Sequence, residues 1–408
     1  MALGLGRPLA AAVCRMQPCG YPILRRVCGQ IQPIYRPQIG QPWLRLLTSA
    51  TKPSVFDMFE KRFNPTTELT YQFSIGAAAM PKNPRLKVLK TGLFSSSQAG
   101  EDSFFSRHDA IGVADGVGGW TQVKGANPAL FSRKLMHYAN MEIAKFDDIA
   151  NAEYSIEEYV DLDPKNVLTE SYKRICEDAA KELLVGSSTA LIVVLRSNEL
   201  RVTSIGDCGL LIIRQNEAIF RTEEQQHSFN FPFQLGTGST DLPSDAQSYH
   251  VHVREGDIVV VGSDGVFDNL TDEEIVEIVK AEQIISTHTI EATAFQITPD
   301  GGEFVPEDSD SDDTAVPKTE SVVIETVTSS HDVSPTVRTI QTVKVDPSLI
   351  ATKILKRARE IAEDSRHVGN PFQTRAMEEG LYYRGGKMDD ITVVVGVISL
   401  SEDSPDRR

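Results

Sequence analysis

The order of elements along this chain predicts an α+β fold, a β-sandwich flanked by helices, in one domain spanning about residues 65–400. Three observations carry that expectation. Between Ala190 and Arg221 four short strands follow one another through turns at Ser197-Asn198 and Gly206-Asp-Cys-Gly209, the pattern of an antiparallel meander. Two amphipathic helices precede the meander, and further helices follow it before a closing strand. Three apolar runs also carry an aspartate at one end: Ile111-Gly-Val-Ala-Asp115, Ile258-Val-Val-Val-Gly-Ser-Asp264, and Asp389-Asp390 leading into Ile391-Thr-Val-Val-Val.

Residues 1–55 differ from everything after them. Arg7, Arg15, Arg25, Arg26, Arg36 and Arg45 are present, and the first acid is Asp57. An arginine-rich, acid-free opening in an otherwise acidic chain reads as a mitochondrial transit peptide, which places the protein in the mitochondrion, in the matrix. From Leu69 the pattern is globular. Tyr71-Gln-Phe-Ser-Ile75 alternates as an edge strand does, and Gly100-Glu101-Asp102 sets two acids just before Ser-Phe-Phe. Asn127-Pro128 supplies an N-cap and a first-turn proline for a helix through Leu130, Leu135, Tyr138 and Ile143. Leu168, Tyr172, Ile175, Ala179 and Leu183 give the next helix, 165–184, its apolar face.

After the meander, strands at 248–253 and 258–261 lead to Thr271-Asp-Glu-Glu274, a capping box for a helix over 274–284. Residues 297–346 carry the acidic run Glu307-Asp-Ser-Asp-Ser-Asp-Asp313 and a Ser/Thr/Val/Pro-rich sequence with little apolar mass to offset ordering entropy. They read as a disordered insertion. A helix over 349–362 and a strand over 391–400 complete the domain.

Composition narrows the function. A net charge of −16 without a basic stripe excludes a nucleic-acid partner. No apolar run is long enough to span a membrane. The five cysteines, with no CxxC pair, support neither a disulfide framework nor a zinc site. Nucleophile motifs of the G-x-S-x-G, H-E-x-x-H and P-loop kinds are absent. What remains is carboxylate chemistry. Oxygen-only ligands at strand ends favour Mg2+ or Mn2+, and carboxylates converging without a cation would repel one another. Two such ions can clamp a phosphoryl group and activate a water. Asp161-Leu-Asp163 follows no apolar strand and reads as surface; His250 and His252 alternate in a strand and read as structural.

These residues resemble a known family. Gly100-Glu-Asp-Ser, Val113-Ala-Asp-Gly-Val-Gly-Gly-Trp120, Gly186-Ser-Ser-Thr-Ala190, Ile205-Gly-Asp-Cys-Gly209, Ser263-Asp-Gly-Val-Phe-Asp-Asn-Leu270 and Lys387-Met-Asp-Asp-Ile-Thr-Val393 are similar to the motifs of the metal-dependent protein phosphatases of type 2C, the PPM family, and within it the mitochondrial branch. The resemblance implies an αββα sandwich of two antiparallel sheets flanked by helices, with two Mn2+ or Mg2+ ions in a cleft at one end. It implies a monomeric phosphoserine/phosphothreonine phosphatase acting on phosphoprotein substrates. Asp115, Asp264 and Asp389 would carry catalysis; the same three, with the Gly116 carbonyl and Glu101, would hold the metals. Asp102 would bind through water, and Asp207 would shape the sandwich.

There are departures. Val117 stands where many members have a histidine, and this favours the rival reading of a weakly catalytic phosphoprotein-binding scaffold. The arginine that grips substrate phosphate is missing, Ser95-Ser-Ser-Gln-Ala99 lying in that stretch, with Arg107 and Lys124 as candidate replacements. Asp390 stands where asparagine is commoner.

Overall fold

The computed structural model describes residues 69–83, 94–147, 156–291, 321–326 and 337–402. Two antiparallel sheets form the centre. The first runs β1 (Leu69–Met80), β11 (Ile391–Glu402), β10 (Ile258–Gly262), β7 (Gly209–Arg214), β8 (Glu217–Arg221). The second runs β9 (Gln247–His252), β6 (Glu199–Ile205), β5 (Ala190–Arg196), β4 (Ala110–Asp115), β3 (Asp102–Arg107), β2 (Ser97–Ala99).

The two-residue period of a strand decides what each face meets. In β5, Leu191, Val193 and Leu195 join Ile111, Val113, Val202, Ile212, Val259, Val261 and Val394 between the sheets. Its alternate residues Ile192 and Val194 point the other way, onto Phe131, Leu135, Met136, Leu168 and Ile175. Those come from α1 (Pro128–Ala144) and α2 (Pro164–Glu182). On the outer face of the first sheet, Val393, Val395 and Val397 of β11 meet Ile350, Ile354 and Ala358 of α5 (Pro347–Glu363). The layers are therefore helix, sheet, sheet, helix. Each fully buried Leu or Ile in these seams contributes about 1.5–3 kcal/mol.

Local signals fix the helix starts. Asn127 Oδ1 accepts from the Leu130 N–H at 3.0 Å, and Thr271 and Glu274 exchange side-chain-to-backbone bonds at the start of α4 (Asp272–Ala281). Asp163 caps α2 by accepting from the Lys165 N–H at 2.8 Å. Residues 1–55, which the sequence reads as a transit peptide, lie outside the described residues.

Strands Ser321–Thr326 and Val337–Lys344 fall inside 297–346; the second is the centre of a three-stranded sheet, pairing with Ile284–Glu291 on one edge and with Ser321–Thr326 on the other. Their runs of Val, Ile and Thr suit a pleated ladder, whose backbone bonds need little core. The acidic run 307–313 lies outside the described residues.

Candidate active site

β3 and β4 place Asp102 directly opposite Asp115 at one end of the second sheet. The first sheet brings β10 and β11 to the same place, and one hydroxyl joins the parts. Ser263 Oγ donates to Asp102 Oδ2 at 2.7 Å and accepts from the Thr392 N–H at 3.1 Å. Ser263 is also the N-cap residue of α3 (Asp264–Phe267), so Asp264 opens a helical turn beside Asp102. The segment 186–190 fixes Asp115. Thr189 Oγ1 accepts from the Asp115 N–H at 3.0 Å, while the Ser188 hydroxyl and the Thr189 N–H both donate to the Asp115 carbonyl at 2.9 Å.

Gly116 donates its N–H to the Glu101 carbonyl at 3.0 Å, which ties the two strand ends together. Asp390 completes the frame. It is 2% exposed, and its carboxylate accepts from the backbone N–H of Lys82 at 2.6 Å and of Glu101 at 2.7 Å. Gly265 must be glycine, because a Cβ there would lie 2.1 Å from the Asp390 carbonyl oxygen.

Sequence position thus gathers Glu101, Asp102, Asp115, Asp264 and Asp389 at one end of the sandwich. Two lysines lie among them. Lys387 Nζ reaches Asp264 at 2.5 Å, Asp268 at 2.6 Å and Asp389 at 3.7 Å. Lys82 Nζ reaches Glu101 at 3.0 Å and Asp389 at 3.3 Å. With these ammonium groups between the acids, no three His, Cys, Asp or Glu side chains among the described residues are gathered tightly enough to cage a metal ion as they stand.

The donor set nonetheless fits a hard divalent cation. Buried oxygens Oδ1 of Asp102, of Asp207 and of Asp264 have no hydrogen-bond partner. The acids also repel one another. Burial, then Asp264, Asp102 and Asp389, push the Asp115 carboxyl well above the usual carboxylate range. Burial and then Asp390 do the same to Asp102, as burial and then Asp264 do to Asp207. Asp389 is pushed up to about 6 by burial and Asp264, with Lys387 and Lys82 opposing. A cluster with orphaned oxygens and surplus negative charge is short of cations, and all of its donors are oxygen.

Other candidates fall elsewhere. Arg107 sits at the far end of β3, opposite Ala110, and pairs with Asp109 and Asp147. It is thus removed as a phosphate-gripping residue, because strand direction carries it away from Asp102 by about 3.3 Å per residue. Lys124 is exposed in the loop beyond Gly118–Gln122. Asp161 is exposed, and His250 and His252 lie on the exposed face of edge strand β9, His250 within 3.3 Å of Glu199. Asp207 is buried near Asp264 rather than remote from it.

The motifs contain Asp268 and Lys387 but give them no role, and they leave out Lys82 and Arg375, whose guanidinium binds both Asp268 and Glu224. Asp268 had a signal. It stands four residues after Asp264, the spacing that puts two helical side chains on one face.

The family model described as Stage II sporulation protein E matches residues 111–316. The human "Protein phosphatase PTC7 homolog" is 31% identical over 332 residues, covering 78% of this chain and 86% of the relative. "Probable protein phosphatase 2C 80" of Arabidopsis thaliana is 34% identical over 305 residues, 74% of this chain. The chain spans about half the length of the two Arabidopsis relatives it matches, 55% and 49%. Among solved structures, that of the photosystem II phosphatase PBCP superposes with a TM-score of 0.53 at 27% identity, over 80% of this chain and 99% of that one. Sheet order, strand-end acids and relatives agree, and the chain belongs to the type 2C (PPM) family of protein phosphatases.

Proposed function

We propose that this protein is a Mn2+- or Mg2+-dependent phosphoserine/phosphothreonine phosphatase of the mitochondrial matrix. The observation that carries the reading is the meeting of Asp102, Asp115, Asp264 and Asp389 at one end of the sandwich, with Asp102 opposite Asp115, Ser263 bound to Asp102, Lys387 paired with Asp264 and Asp389, and buried carboxylate oxygens left over. Asp115, Asp264, Asp389, Glu101 and the Gly116 carbonyl would hold two ions. Bound there, the ions would neutralise the acids, polarise a phosphoryl oxygen and activate water for in-line attack.

The chain's own groups supply position. Ser188 and Thr189 hold the Asp115 backbone, Ser263 orients Asp102, and Asp390 sets the spacing of Lys82 and Glu101. Val117 carries no titratable proton, so protonation of the leaving alcohol falls to water or another group. Relatives named protein phosphatases support a protein substrate, and the arginine-rich, acid-free opening supports the location.

The test is turnover of a phosphopeptide in Mn2+, with chelation abolishing it. Asp115→Asn and Asp264→Asn should each abolish hydrolysis with circular dichroism unchanged. Retention of more than about a few percent of the rate in both would reject the two-ion reading, since loss of a residue bridging or holding the ions costs orders of magnitude. Wild-type protein that binds a phosphopeptide without hydrolysing it would establish the scaffold instead. Imaging a C-terminally tagged full chain tests the location.

A further inference from the structure

We propose that Lys82 is the cation that grips the substrate's phosphoryl group, a role that rests on the phosphatase reading above. Among the described residues, ion pairs to Glu101, Asp264 or Asp389 come from Lys82 and Lys387. The two lysines are held differently. Lys387 is locked: its side chain is 13% exposed, its ammonium touches Asp264 and Asp268 and lies 5.1 Å above the Phe372 ring, and its backbone N–H donates to Asn269. Lys82 is anchored at its root and open at its tip. The backbone N–H is fixed by Asp390 Oδ1, whereas the side chain is 36% exposed.

Position and access point the same way. Lys82 Nζ lies between Glu101 and Asp389, two of the acids that would hold the ions, so a phosphoryl group drawn to that place would present its oxygens within reach of the ammonium. Opposite it the chain has Gly118, exposed, where a Cβ would stand 3.2 Å from Glu101 Oε2 and 3.7 Å from Lys82 Nζ. A side chain at 118 would cover the ammonium; glycine leaves it reachable. Burial acts against the charge of Lys82, but Asp389 and Glu101 outweigh it and keep the group cationic. Once divalent ions take those carboxylates, the ammonium loses both partners. A dianionic phosphoryl group in the same opening replaces them with charge-assisted hydrogen bonds.

The experiment compares the full wild-type chain with Lys82→Met and Lys82→Arg, each loaded with Mn2+. Inorganic phosphate binding is measured by calorimetry, alongside Mn2+ binding and phosphopeptide kinetics. The expected result is phosphate binding weakened about tenfold or more in Lys82→Met, the size of one charge-assisted contact. KM should rise more than kcat falls, Mn2+ affinity should be equal or tighter, and Lys82→Arg should recover most of the loss. Unchanged phosphate affinity in Lys82→Met overturns the assignment, as does wild-type protein that binds no phosphate in Mn2+. Loss of Mn2+ binding in both variants also overturns it and makes Lys82 part of the frame. Phosphate binding that depends on Lys82 in a protein without turnover would reject the phosphatase reading and leave this one standing.

Discussion

Asp390 joins Lys82 to Glu101: one carboxylate oxygen accepts the backbone N–H of the first and the other that of the second, at 2.6 and 2.7 Å. This accounts for an acid where the family more often has asparagine. A carboxylate accepts on both oxygens, while an amide accepts on one and presents hydrogens on the other side.

Asp390→Asn should therefore leave one buried N–H without an acceptor, at a cost of about 1–3 kcal/mol. Urea unfolding should show that loss. Mn2+ titration should show weaker binding, because Glu101 is no longer held in place. Unchanged stability would mean that the Asn side chain finds both donors another way.

Divalent ions should stabilise the folded chain. If Mn2+ binds the native acids and not the unfolded chain, a hundredfold excess over Kd adds about 2.7 kcal/mol, visible as a rise in Tm that EDTA reverses. The rise should shrink in Asp264→Asn. An equal rise in that variant would place the ion elsewhere.

Away from the cleft, Asp109 lies buried between Arg107 and Arg196, with an oxygen 2.9 Å from the first and 3.1 Å from the second. Burial opposes its charge, but the two guanidiniums outweigh it and lower its carboxyl below the usual value. A depressed carboxyl contributes stability that is present above its unfolded pKa, about 3.9, and lost as pH falls through the folded one. Asp109→Asn should cost about 3–5 kcal/mol at neutral pH by leaving the buried Arg196 without its carboxylate, while Arg107 keeps Asp147. It should also flatten the loss of stability below about pH 4. Arg107→Ala should lower stability without changing KM for a phosphopeptide, separating it from the phosphate-binding role.

Gly265→Ala tests the tightness of the frame. The added Cβ would meet the Asp390 carbonyl oxygen at 2.1 Å, so β11 or α3 must shift. A loss of stability of about 1–3 kcal/mol is expected from such overpacking, together with loss of phosphopeptide hydrolysis. Normal kinetics in a folded Gly265→Ala protein would show that the contact between Gly265 and Asp390 is dispensable.

The acids were legible in the sequence because each sits where an apolar strand ends, and a strand end in a sandwich has few places to go. The helix–sheet–sheet–helix layering was legible for a related reason: β5 is apolar on both faces, so it needs a cover on each. The lysines were not legible. Lys82 meets Asp389 across 307 positions, and nothing local to either distinguishes that pair from a solvated surface charge. Arg107 misled for the opposite reason, since nearness to Glu101 along the chain becomes separation along a strand. The strands at 321–326 and 337–344 have the β-branched content of strands, but the polar run before them suggested a chain that stays open.

The strand Ile391–Glu402 sits between β1 and β10, pairing Leu69 with Glu402 at one end and Val397 with Ile258 along the other edge. A ribosome making this protein therefore emits the first strand of that sheet long before the one it must pair with. Until then β1 and β10 wait with open edges, and a premature stop codon anywhere before Asp389 would remove the missing rung and that carboxylate together.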